Sequence, residues 1–110
     1  EILLVRARET SANVWNFDVR LDHPDTGWED YTDGWHVETL DGQILGVRIL
    51  LHPHVNEMPF MRSQGGITVP QGVTEVQVRS HDLVSGYSLE TVVVPLGESG
   101  TGDRYEVTKQ

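Results

Sequence analysis

Hydrophobic and polar residues alternate one by one along most of this chain, and no segment carries apolar residues at helical spacing. The clearest stretch is 13–23, NVWNFDVRLDH, in which Trp15, Phe17, Val19 and Leu21 share one face of an extended strand. Further alternating or apolar runs, separated by Gly, Pro and Asp, occupy residues 1–9, 34–40, 43–51, 65–70, 74–82 and 89–96. The pattern therefore predicts seven short strands, counted from these segments.

Short strands at this spacing predict an all-β chain folded as an antiparallel two-sheet sandwich. The arrangement resembles immunoglobulin and fibronectin-III domains, with Trp35 as a core tryptophan; a small β-barrel is the alternative. A chain of 110 residues is long enough for one hydrophobic core. We expect residues 1–96 to form a single domain and the Gly-rich residues 97–110 to form a flexible or frayed C-terminal tail.

A predicted hairpin within residues 34–51 determines where a central histidine points. A three-residue connection 41–43, whose middle glycine takes a positive φ, would place Trp35 opposite Ile49. Val47 and Ile49 would then enter the core. His36 would lie on the outer face as a surface histidine.

The segment 51–57, LHPHVNE, carries the strongest candidates for metal ligands. His52 and His54 are two apart, and the proline between them keeps the chain extended, so both rings can point the same way. Glu57 follows, and the strand register places the segment beside the acidic loop 22–34. This geometry permits a site for a divalent metal (Zn, Cu or Mn) with the ligands His52, His54, Glu57, Asp30 and Asp33; the alternative is a surface histidine pair that binds no metal.

The same segment resembles the first motif of the cupins. Gly46 is followed, after five residues, by 52–54 (His-Pro-His), and 70–72 (Pro-Gln-Gly) resembles part of the second motif. Glu57 comes one residue earlier than in the cupin motif, and Glu75 stands where a metal-binding histidine is expected. The resemblance implies a barrel with an interior metal site, and hence a metal-dependent enzyme as an alternative function.

Aromatic residues in the acidic loop give another alternative, a carbohydrate-binding module. Trp28, Tyr31 and Trp35 interleave with carboxylates, as in sandwiches that bind sugars. We expect instead that Trp28 and Tyr31 cap one end of the core, since large aromatic side chains are usually buried.

A methionine-rich segment follows LHPHVNE. Phe60 is expected to fill the bottom of the sandwich. If Met58, Phe60 and Met61 were all exposed, they would form an adaptable apolar patch for a protein partner.

The composition excludes several classes of function. The net charge of −9 disfavours nucleic acid and anionic membranes as binding partners, because both are negatively charged. The absence of cysteine removes disulfides, thiolate metal sites and Cys nucleophiles, and no nucleophile elbow or phosphate loop is present. No apolar run is long enough for membrane insertion. The start on a strand-like run without Met indicates that a tag or a signal peptide was removed, and it favours a periplasmic or secreted location. The sequence therefore predicts a non-catalytic binding module for a protein or a small ligand.

Overall fold

The computed structural model describes all 110 residues, which form two β-sheets and no helix, so no helix crosses a membrane. The strands are β1 (Ile2–Ser11), β2 (Val14–Leu21), β3 (Thr32–Thr39), β4 (Ile44–Ile49), β5 (Phe60–Thr68), β6 (Glu75–Asp82), β7 (Gly86–Tyr87), β8 (Val92–Pro95), β9 (Gly100–Gly102) and β10 (Tyr105–Thr108). The first sheet has the order β5-β2-β1-β10-β9, and the second has β4-β3-β6-β7 with β8 also paired to β6. The predicted all-β sandwich is confirmed, and the two sheets do not close into the barrel that the cupin resemblance implies.

The core lies between the sheets and is formed by residues at alternate strand positions. β2 contributes Trp15, Phe17, Val19 and Leu21, as its alternation predicts, and all four are buried. The second sheet contributes mainly Trp35, Val37, Val76, Val78, Val92 and Val94. Phe60 is buried with them, which confirms its expected role and removes it from any exposed methionine-rich patch.

The C-terminal residues differ from the expected frayed tail. β9 and β10 lie in residues 97–110, and β10 pairs in parallel with β1. Val5 lies opposite Tyr105, Arg8 lies opposite Thr108, and Val107 is buried in the core. A four-residue strand with one buried valine has little alternation to detect. Its partner β1 lies at the other end of the sequence, so no local pattern indicates the pairing.

The pairing of β3 with β4 is shifted by one residue from the predicted hairpin, although the loop glycine has the expected positive φ of 95°. A bulge in this pairing places Trp35 opposite Arg48 and His36 opposite Val47. Opposed residues share a face, so Val47 and Ile49 lie on the outer face and not in the core. Both are about half exposed or more.

Gly46 explains this shift. It lies opposite Val37 and faces Ile67 of the other sheet, which fills the space that a side chain would need. A Cβ atom at position 46 would lie 2.7 Å from Cγ1 of Ile67. Arg48, the next residue on the same face, donates a hydrogen bond from Nη1 to the carbonyl oxygen of Ser63 at 3.1 Å. The close approach of the sheets thus determines the register, against the hydrophobic pattern of β4.

His36 lies on the outer face, as predicted, but it is not a surface residue. Only 4 % of it is exposed. The ring of Tyr87 covers it, with 5.0 Å between the ring centroids. The two-residue strand β7, which carries Tyr87, leaves no signal in the sequence, and the expectation of exposure was therefore wrong.

Candidate functional site

The loop between β2 and β3 is organised around the carboxylate of Asp25, whose side chain is 0 % exposed. Its Oδ1 accepts hydrogen bonds from Nδ1 of His23 at 2.6 Å and from the backbone N–H of Thr32 at 3.1 Å. Its Oδ2 accepts a hydrogen bond from the backbone N–H of His54 at 2.8 Å. One buried carboxylate therefore joins the loop, the start of β3 and the HPHVNE segment.

Two further carboxylates face the other nitrogen of His23. Nε2 of His23 lies 3.7 Å from Oδ1 of Asp30 and 3.6 Å from Oδ2 of Asp82. Asp82 ends β6, and its Oδ1 accepts hydrogen bonds from the backbone N–H groups of Val84 and Ser85. One ligand atom from each of His23, Asp30 and Asp82 lies within 4.8 Å of the others. These three residues are called the His–Asp–Asp cluster below.

The geometry of the His–Asp–Asp cluster suits a divalent transition-metal ion. Tetrahedral Zn²⁺ with bonds of about 2.1 Å holds its nitrogen and oxygen ligands about 3.4 Å apart, close to the 3.6 and 3.7 Å observed. The bond from Nδ1 of His23 to Asp25 fixes the ring, as carboxylates commonly do for metal-bound histidines. Oδ1 of Asp30 is buried and has no hydrogen-bond partner, a state that a cation would relieve.

The acidic residues predicted as metal ligands are distributed over different parts of the fold. Asp30 belongs to the His–Asp–Asp cluster, whereas Asp33 accepts a hydrogen bond from Nδ1 of His81. The side chain of Glu57 is 58 % exposed, and its Oε2 lies 3.9 Å from Nη2 of Arg62. The structure therefore does not gather these acids around the histidines of LHPHVNE.

The two predicted histidine ligands do lie together. The rings of His52 and His54 have centroids 4.5 Å apart, and the His54 ring stacks on Phe60 at 3.9 Å. Nε2 of His54 lies 3.2 Å from Nη2 of Arg62, which can only donate, so this nitrogen accepts a hydrogen bond. Nδ1 of His54 is buried without a partner. Metal binding by His52 and His54 stays a prediction.

Sequence reasoning missed the central residues of the cluster, although a signal was present. His23 and Asp25 flank a proline at the end of the clearest predicted strand, the same spacing that drew attention to HPH. Asp82 ends the predicted strand 74–82, and pairing with β3 places it opposite Thr32, next to the loop. The proximity of Asp82 to the loop can therefore be predicted only once the pairing of β3 with β6 is known.

Trp28 is 67 % exposed, so the expectation that it caps the core was wrong. Its ring meets Tyr31 edge-on, with centroids 5.8 Å apart. The loop buries the carboxylate of Asp25 instead, because that group satisfies two backbone N–H groups that would otherwise lack partners.

His54 gives the protein an expected pH dependence. Burial, together with the positive charges of Arg62 and His52, lowers the pKa of His54 below its ordinary value of 6.5, against the opposing effects of Glu57 and Asp25. The unfolded chain therefore binds this proton more readily than the folded one. The free energy of unfolding should fall as pH falls from 6.5 toward the pKa of the folded state.

Urea unfolding between roughly pH 5 and pH 7.5 measures this slope. We expect a smaller slope in His54→Gln, and a weaker reduction in His52→Gln, which removes only one of the positive charges that lower the pKa of His54. Equal slopes in wild type and His54→Gln would assign the dependence to other groups.

Comparison with known proteins gives one informative similarity. No protein-family model and no solved structure matches the chain. Over 96 residues it is 50 % identical to a protein of Halomicrobium mukohataei named "Putative lipoprotein". The aligned region is 87 % of this chain and 46 % of that protein. The chain thus spans about half the length of the curated relative that it matches, and the similarity covers both sheets of the sandwich.

Proposed function

We propose that this chain is a non-catalytic binding module of an envelope-associated or secreted protein, and that it holds a divalent transition-metal ion at the His–Asp–Asp cluster. The observation that carries the proposal is the buried, unpartnered Oδ1 of Asp30 beside Nε2 of His23. The name of the similar protein supports the location, since lipoproteins are attached to membranes from outside the cytoplasm.

The ligand chemistry supports a transition metal. One imidazole nitrogen and two carboxylate oxygens form a mixed set of the kind that binds Zn²⁺ or Mn²⁺. The net charge of −9 also attracts cations to the surface. Three protein ligands leave at least one coordination position for water or for an oxygen of a bound partner.

The ion would also stabilise one end of the sandwich. His23 and Asp30 lie in the loop between β2 and β3, whereas Asp82 ends β6. Coordination by all three would connect the loop to the second sheet. Without an ion, Nε2 of His23 lies 3.6 to 3.7 Å from the two carboxylates and forms no hydrogen bond with either. Ligand binding to the folded state alone raises the free energy of unfolding.

Titration calorimetry with Zn²⁺ and Mn²⁺, together with elemental mass spectrometry of untagged protein, tests the proposal. We expect one ion per chain and a loss of affinity of about tenfold or more in His23→Ala and in Asp82→Asn. His52→Ala is the matched control and should bind like the wild type.

Two results would contradict this assignment. Loss of the ion in His52→Ala with retention in His23→Ala would move the site to LHPHVNE. A wild-type protein that takes up neither ion would remove metal binding from the function.

A further inference from the structure

A groove crosses the outer face of the second sheet, away from the core. It encloses about 290 Å³. Val47 and Ile49 of β4 form one side, and His81 with Tyr87 forms the other. Gly34 lies between them, opposite both Ile49 and His81, and its missing side chain keeps the floor low.

The base of the groove holds a polar group without a partner. The side chain of His36 is 5 % exposed, and its Nδ1 is buried with no hydrogen-bond partner. Its Nε2 lies 3.3 Å from Oε1 of Glu38 and is likewise buried without a hydrogen-bond partner. Buried polar groups in proteins are nearly always paired, so the unpartnered Nδ1 of His36 indicates a hydrogen bond that a ligand would supply.

The charges beneath the groove compensate one another. Burial alone raises the pKa of Glu38, but the hydrogen bond from Arg79 and the nearby imidazole of His36 outweigh it and hold the pKa below 4.5. The ionised carboxylate therefore faces the guanidinium of Arg79, whose Nε donates to Oε1 at 2.7 Å. The base offers no unpaired charge, and the net charge of −9 on the chain repels anions such as nucleotides. A neutral ligand fits these charges.

The walls favour a ring with apolar faces. Tyr87 is 55 % exposed, and the aliphatic side chains of Val47 and Ile49 stand across from it. The polar groups are Nδ1 of His36 at the base and, on the side that His81 forms with Tyr87, the pair in which His81 donates to Asp33. This combination of apolar walls with a few placed polar groups is the usual composition of a small-molecule site.

We propose that this groove binds a neutral sugar ring, with its C–H faces against Tyr87 and the aliphatic wall and its hydroxyl groups toward His36 and the His81–Asp33 pair. An aromatic hydrocarbon side chain would leave Nδ1 of His36 unsatisfied, whereas a hydroxyl group both donates and accepts. The volume admits a single ring. The proposal goes beyond the metal site and does not depend on it.

Amide NMR spectra of the protein titrated with methyl glucoside, methyl galactoside, methyl mannoside and N-acetylglucosamine test this site. With at least one of these, we expect millimolar binding and shifts at Gly34, His36 and Tyr87. Tyr87→Ala should weaken binding about tenfold. His36→Phe keeps a ring of similar shape but removes both nitrogens, and it should weaken binding while the protein stays folded.

Two control variants separate the possible outcomes. Trp28→Ala removes the exposed aromatic side chain of the acidic loop and should leave sugar binding unchanged. His23→Ala removes a metal ligand and should also leave it unchanged, so failure of the metal proposal is distinguishable. Shifts confined to Trp28 and Tyr31, or no shifts with any of the four sugars, would overturn the proposal.

Discussion

Replacing Asp25 by alanine is expected to lower the free energy of unfolding by about 4 kcal/mol, because it leaves buried donors without an acceptor. The backbone N–H groups of Thr32 and His54 both donate to this carboxylate in the interior. Each unpaired buried donor costs about 1–3 kcal/mol. Urea unfolding followed by tryptophan fluorescence measures the loss.

The same substitution should weaken metal binding about tenfold or more, since the ring of His23 loses the bond that orients it. Asp25→Asn keeps an acceptor oxygen and should be less destabilising. Asp22→Ala, an exposed carboxylate of the same loop, is the matched control and should change stability by less than about 0.5 kcal/mol. If Asp25→Ala behaved like Asp22→Ala, the carboxylate would not be the organising group of the loop.

Gly46→Ala is expected to lower the free energy of unfolding by about 1–3 kcal/mol through overpacking between the sheets. The new Cβ would meet Cγ1 and Cδ1 of Ile67 at 2.7 and 2.8 Å. Gly97→Ala is the matched control, because a Cβ there would have no atom within 4 Å. Chemical denaturation of both variants gives the difference.

A double-mutant cycle with Ile67→Val identifies the contact responsible. Removal of Cδ1 frees part of the space, so Gly46→Ala should cost less in the Ile67→Val background than in the wild type. Strict additivity would mean that another neighbour determines the register of β4.

The all-β fold could be predicted from the alternation of polar and apolar residues along the strands. In β2, every second side chain is apolar and buried, so the alternation predicts this strand clearly. In β4 the same rule gave the wrong register, because Gly46 carries no hydrophobic signal and its role depends on Ile67, twenty-one positions later in the sequence. A contact between sheets thus overrode a local pattern.

The metal site predicted from the sequence and the His–Asp–Asp cluster lie at the same end of the sandwich, but they share only Asp30. Asp30 was anticipated, whereas His23 and Asp82 come from segments that meet only through the pairing of β3 with β6. His54 has the chemistry of a ligand, yet its backbone and ring join the interior through Asp25 and Phe60. Residue type indicates what a side chain can bind, and only the packing around it shows what it already contacts.

The parallel pairing of β1 with β10 has a mechanical consequence. Glu1 lies at the end of the sandwich that carries Asp22, whereas Gln110 is bonded to Glu9, roughly 26 Å further along β1 at ~3.3 Å per residue. A pull applied between Glu1 and Gln110 would draw the two strands past each other in opposite directions. Their interstrand hydrogen bonds would then be loaded together in shear. The resistance of the protein to forced unfolding would depend on how fast all of these bonds break together. The sandwich should therefore resist unfolding when tension runs through it from one end to the other.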